Sequence, residues 1–174
     1  WKVADINIKF VPYLMHWKKE WEENIVQHCI QEEQKEKYIP YLNCFLAEEW
    51  KEAACRKEVK IDEKKLSACV DKTKKDINYD ETVEKSTEQY PKFNLNLKEA
   101  GKAWVQWSPT LVLNWKKIEQ IWRNAKAYAD IICSSFKDKP EECNQEFQNV
   151  VFDPMFGFTS WNWANIENSA CWVQ

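Results

Sequence analysis

Ser108-Pro109-Thr110-Leu111-Val112-Leu113 is the stretch whose reading decides the fold. It is an apolar run opened by a proline, and a strand accepts proline at its first residue because no ladder N–H is needed there. Across a short gap Ile118 to Ile121 supplies a second apolar run, so the two predict a β-hairpin. Asn114 and Trp115 fall between the two runs, where a type I′ turn needs positive φ at both central residues and Asn-Gly is the preferred pair.

Outward from the hairpin, Asn124 is placed to cap a helix on which Ala127, Tyr128, Ile131 and Ile132 share a face, ended before Pro140. Beyond about Val150 the chain turns polar and aperiodic, which predicts a disordered tail over residues 150–174. In the other direction, Asn96 to Ala103 and Asp80 to Gln89 offer short helices. Asp62 predicts an N-cap for a helix carrying Leu66, Cys69 and Val70. A second helix at Pro40 would stack Tyr38, Tyr41, Leu42, Phe45 and Leu46 on one side, with proline in the first turn where its missing N–H costs nothing. From Lys18 onward Trp21, Ile25 and Cys29 recur at helical spacing. Ala4 to Leu14 alternates Ile6, Ile8 and Phe10 with polar neighbours, the period of a half-buried strand. The order is strand, several helices, hairpin, helix, an α/β chain.

Charge excludes one class of partner. Twenty-five basic against 28 acidic residues leave a net charge of −3 with no one-signed block, so no nucleic-acid partner is expected. No apolar run approaches the roughly 18 residues that span a bilayer. Trp1 is neither an initiator nor the start of a signal peptide, so the chain reads as a fragment or processed product.

Seven cysteines, at 29, 44, 55, 69, 133, 143 and 171, point to an oxidising, extracytoplasmic compartment. None has the Cys-x-x-Cys spacing of a redox pair, and His16 and His28 are the only histidines, so neither a metal site nor a cofactor is expected. Three pairings are geometrically reasonable. Cys44 and Cys55 flank a helix–helix turn, Cys29 and Cys69 lie on faces able to pack together, and Cys133 and Cys143 bracket the loop after the last helix. Buried free thiols are the alternative, and Cys171 is left over.

The hairpin with its opening proline, followed by Ala127-Tyr128-Ala129-Asp130-Ile131-Ile132-Cys133-Ser134-Ser135-Phe136 and Pro140-Glu141-Glu142-Cys143, resembles the C-terminal half of DsbA-like thioredoxin-fold proteins. Glu22-Glu23-Asn24 leading to Cys29-Ile30-Gln31, then Tyr41-Leu42-Asn43-Cys44-Phe45, Cys55 and Lys65-Leu66-Ser67-Ala68-Cys69, resembles the cysteine-bearing helical insertion of that family. The resemblance implies a thioredoxin-like domain over residues 1–149, its sheet incomplete for want of the first strand and helix, with a disulfide-stapled insertion over about 18–90. It also implies a cis proline at Pro109, with Ser108, Pro109 and Thr110 docking extended or unfolded polypeptide substrates.

The absent redox pair is the departure from that family. Either Met15-His16-Trp17-Lys18 stands in its place after the first strand, or the strand at residues 4–14 is the family's second and the Cys-x-x-Cys lies upstream of Trp1. The second alternative is preferred, and it implies a thiol–disulfide oxidoreductase for exported proteins, with a membrane redox partner for the intact protein and no catalytic residue in this chain. His28 reads as a helix-surface residue. A non-catalytic binding module and a small secreted helical protein with purely structural cysteines are the competing functions.

Composition raises a separate matter. An average chain of this length holds about 12 glycines, yet this one has 2, and 11 tryptophans. Adding the tryptophans to the glycines restores an ordinary glycine count. Trp115 in the turn, Trp50 after an apolar helix, Trp107 before Ser-Pro, and Trp161, Trp163 and Trp172 in the polar tail all stand where glycine is natural. This predicts a UGA codon read as glycine in the source organism, with Trp107 and Trp115 poorly packed or facing solvent. The alternative is a Trp-rich surface that binds sugars or membranes.

Overall fold

Helix α1, Lys18–Glu33, supplies the central wall of the larger part of the molecule. Its apolar positions recur at three and four residues, so Ile25, Cys29 and Ile30 are buried together, with Trp21 and Val26 packed beside them. In this computed structural model residues 4–14, 18–47, 51–119, 124–147 and 149 are described. The described chain is mixed α/β and mostly helical, with one small antiparallel sheet and three disulfides. It divides into a helical unit, Asn7–Gln106, and a second unit made of residues 1–6 and 107–174.

In the helical unit α1 packs against α2 (Lys35–Ala47) and α4 (Glu63–Asp76), and α3 (Glu52–Glu58) packs against α2. Gln34, in the break between α1 and α2, is buried and fully employed. Its amide donates to the Asp62 carbonyl at 3.2 Å and accepts from the Asp62 N–H at 2.8 Å, tying that break to the start of α4. Asp62 caps α4 as its sequence position predicts, accepting from the Lys64 and Lys65 N–H groups at 3.1 Å each. Those bonds hold its carboxyl below the usual range. Tyr41, Tyr79, Phe93 and Leu14 close the core.

Three expectations are corrected here, and one element is new. Helix α2 begins at Lys35, so Pro40 lies in its interior, on an exposed side, while Tyr38 and Tyr41 are buried. Packing of the two tyrosines outweighs the lost N–H bond. Helix α3 was not predicted. The helical stretch after α4 shrinks to one wide turn, Asp80–Glu84, in which the Lys85 N–H reaches the Asp80 carbonyl at 3.0 Å. Residues 4–12 form no strand, although burial alternates over residues 4–10.

The last of these has a clear physical cause. The Ile8 N–H donates to the Gln31 side chain at 2.7 Å, which in turn donates to the Ile8 carbonyl at 3.0 Å, and the Phe10 N–H donates to Asn96 at 2.9 Å. Side-chain amides take the bonds that a neighbouring strand would have made. Among the described residues the segment meets backbone around Tyr13, in an antiparallel bridge to Lys92 in which the Phe93 N–H donates to the Pro12 carbonyl at 3.1 Å and the Leu14 N–H to the Pro91 carbonyl at 3.2 Å. The predicted short helix before Val105 is α5, Leu97–Lys102.

In the second unit β1 (Leu111–Leu113) pairs with β2 (Lys116–Ile118), Leu113 opposite Lys116. The two-residue turn starts β2 earlier than the apolar run at Ile118 suggested, and residues 120–121 of that run lie outside the described residues. Helix α6, Ala125–Ser134, is capped by Asn124, whose side chain accepts from the Ala127 N–H at 2.6 Å. The predicted tail over 150–174 also lies outside the described residues.

Candidate functional site

The three cysteine pairs are bonded: Cys29–Cys69, Cys44–Cys55 and Cys133–Cys143, with Cα separations of 5.7, 5.6 and 5.8 Å. Their Cα spacing lies within the range a disulfide spans without backbone distortion. Cys29 and Cys55 are fully buried, whereas Cys133 and Cys143 are half-exposed. The Thr73 hydroxyl lies 3.6 Å from the Cys29 sulfur. Cys171 lies outside the described residues. None of the bonded cysteines stands free to attack a substrate.

Ser108 and Pro109 are exposed and lead into β1, and the peptide bond between them is cis. Thr110 is half-buried, and its hydroxyl donates to the Trp107 carbonyl at 2.6 Å, closing a tight loop around the proline. Lys117, opposite Val112, places its ammonium 5.4 Å from the centre of the Trp107 ring and 3.0 Å from the Glu119 carboxylate. Among the described residues β1 has a strand partner on one side only. An edge of that kind can accept an extended chain through main-chain hydrogen bonds. Ser108, Pro109 and Thr110 thus sit together at the head of a two-stranded ribbon whose first strand is half-buried.

Of the two histidines, His16 lies outside the described residues together with Met15 and Trp17, the stretch weighed as a substitute for the redox pair. His28 is not the surface residue expected. It is half-buried in α1, its Nδ1 is enclosed with no hydrogen-bond partner among the described residues, and burial lowers its pKa, with Glu32 opposing the shift. A neutral imidazole is the form this setting favours.

Sequence reasoning passed over a second polar cluster. Glu23 of α1 accepts from the Tyr41 hydroxyl of α2 at 2.8 Å and from Gln27 at 2.9 Å. Burial pushes its carboxyl up to about 7, a shift that these two hydrogen bonds and Arg56 resist and Glu52 reinforces. Burial also raises the Tyr38 and Tyr41 hydroxyls, both further disfavoured as anions by Glu23. The Tyr38 hydroxyl is buried without a partner among the described residues. The only advance signal was the four-residue spacing of Glu23 and Gln27 on one helix face.

Among the described residues no group of three or more histidine, cysteine or acidic side chains converges as a metal site. None of their helices is long and apolar enough to cross a membrane. No protein-family model matches the chain, nor does any curated protein or solved structure.

Proposed function

We propose that this chain is the peptide-docking part of a DsbA-like, thioredoxin-fold thiol–disulfide oxidoreductase acting on exported proteins. In this proposal Ser108, Pro109 and Thr110 hold an extended polypeptide beside β1. The electron-exchanging Cys-x-x-Cys, which these 174 residues lack, belongs to a segment outside them. That pair would attack the docked substrate's disulfide as a thiolate and exchange its electrons with a membrane partner. The observation that carries the proposal is the exposed Ser108–Pro109 head of a ribbon whose first strand is paired on one side only among the described residues. Three disulfides agree with an exported setting.

Titration of the chain with a reduced, alkylated unfolded polypeptide, followed by NMR, tests the docking. Amide shifts should centre on Ser108, Thr110 and Leu111, and Pro109→Ala should weaken binding about tenfold, or ~1.4 kcal/mol. Shifts confined to the helical unit would refute the docking role. A thiol-exchange assay on a preparation that includes the coding sequence upstream of Trp1 tests the chemistry. Turnover should vanish when the upstream cysteines become serine.

A second reading has one observation in its favour. Trp107 and Trp115 are 55% and 81% exposed, as an aromatic surface for sugars or membranes would have them. It stands only if those residues are tryptophan in the native protein.

A further inference from the structure

Trp104 and Trp115 occupy two backbone positions at which glycine is the usual residue, and they do so for unrelated reasons. After α5, Ala103 is the cap and Trp104 follows with φ of 54°. Its N–H reaches the Gly101 carbonyl at 3.2 Å while the Val105 N–H reaches the Ala100 carbonyl at 2.9 Å. That pair of bonds defines the Schellman ending of a helix, whose left-handed residue is most often glycine because a Cβ there crowds the carbonyl that follows. Trp115 is the second residue of the β1–β2 turn, with φ of 66° after Asn114 at 49°. Leu113 and Lys116 pair across it, so the turn is the two-residue type I′ form that favours Asn-Gly.

A left-handed residue alone does not demand glycine. Lys60 and Asn78 hold φ of 56° and 51° after α3 and α4. Asparagine tolerates this conformation, and Lys60 keeps its long side chain in solvent. Tryptophan gains nothing comparable at either position. Trp104 is 79% exposed and Trp115 is 81% exposed, so neither recovers the strain through burial of its ring. Trp21, by contrast, packs half-buried against the core from a regular helix. Among the described residues, Trp21 is packed on the core, Trp104 and Trp115 are stranded on backbone that favours glycine, and Trp107 is exposed without a left-handed φ. The stranded pair is found in a chain with 2 glycines and 11 tryptophans.

We infer that residues 104 and 115 are glycine in the protein its source cell makes, because UGA is read there as glycine. The turn then becomes Asn-Gly and the helix ending Ala-Gly. Two large exposed rings disappear from the surface. The inference rests on backbone geometry and composition, and does not depend on the oxidoreductase proposal.

The test is sequencing of peptides from the native protein by mass spectrometry, which requires no variant to fold. Glycine at 104 and 115 is the expected result, and tryptophan at either overturns the inference. The gene gives an independent check, since a UGG codon at either position would refute it equally. Expression of the full chain in a host with the standard code, with tryptophan or with W104G/W115G, supplies the physical readout. The glycine form should melt at the higher temperature. An equal or lower melting temperature would show that these backbones do not need glycine.

Discussion

The helical unit and the hairpin unit share a chain and a reliance on disulfides, yet they invest in burial very differently. In the helical unit Leu14, Ile25, Ile30, Tyr41, Tyr79 and Phe93 are sealed from solvent, and Cys29 and Cys55 are buried among them. In the hairpin unit Asn124 and Ala129 are the only buried positions among the described residues, and β1 and β2 are three residues each. A lone two-stranded hairpin is marginal in water. Binding elements are commonly drawn from the less stable part of a fold, where opening is cheap. If the docking proposal holds, stability and recognition reside in different segments of this chain.

The comparison can be broken most easily at the disulfides. Cys29–Cys69 closes a loop with a sequence separation of 40, so Cys29→Ser with Cys69→Ser should cost about 4 kcal/mol by loop entropy. Urea unfolding followed by circular dichroism would register it. The Cys133/Cys143 pair of substitutions, about 3 kcal/mol by the same relation, should leave the helical unit's transition where it was. If both pairs shift that transition equally, the two units are not energetically separate. Dithiothreitol should reduce half-exposed Cys133–Cys143 first, as read by mass after alkylation.

A second difference is electrostatic. Glu23 has a folded pKa of about 7 against an ordinary 4.5, so its neutral form is the one the core accepts. The stability linked to it is complete below about pH 4.5 and is lost as pH rises through about 7, at most roughly 3 kcal/mol in all. The melting temperature of the helical unit should fall across that window, and Glu23→Gln should flatten the fall. A slope unchanged in the variant would assign the effect to another group.

The smallest expected effect is local. Asn124→Ala removes the cap of α6 and should cost about 1 kcal/mol. Hydrogen exchange should speed up at Ala127 and its neighbours while the amides of α1 and α4 keep their protection. Spread of the effect into α1 would mean that the units unfold together.

Much of this architecture was legible from residue order. Asp62 and Asn124 announce their helices because a side-chain acceptor ahead of an apolar-periodic run has one common use. The cysteine pairs could be guessed because their partners lie on faces of neighbouring elements. Residues 4–12 misled because alternation reports which side chains are buried, not what the backbone bonds to. Gln31 and Asn96, which take those bonds, lie far along the chain. Pro40 misled because propensity places it in a first turn, whereas packing of Tyr38 and Tyr41 starts the helix at Lys35. Glu23 was invisible because an acid in a charged helix reads as surface until the neighbouring helix covers it. Ser108 to Thr110 read as the opening of the strand, whereas pairing begins only at Leu111, because the proline and the bond from Thr110 to the Trp107 carbonyl turn the chain into a loop there.

The Cys44–Cys55 bond lies wholly inside the loop that Cys29–Cys69 closes. A chain emerging from its amino end presents Cys29 before Cys44, and both before Cys55 and Cys69, so pairing these four in order of appearance would couple the wrong thiols. Cys29 must stay reduced until Cys69 arrives, or a mispaired bond must be undone by thiolate attack. Recombinant material from a host without a disulfide-shuffling enzyme should therefore contain scrambled isomers, separable by chromatography before any assay of the native form.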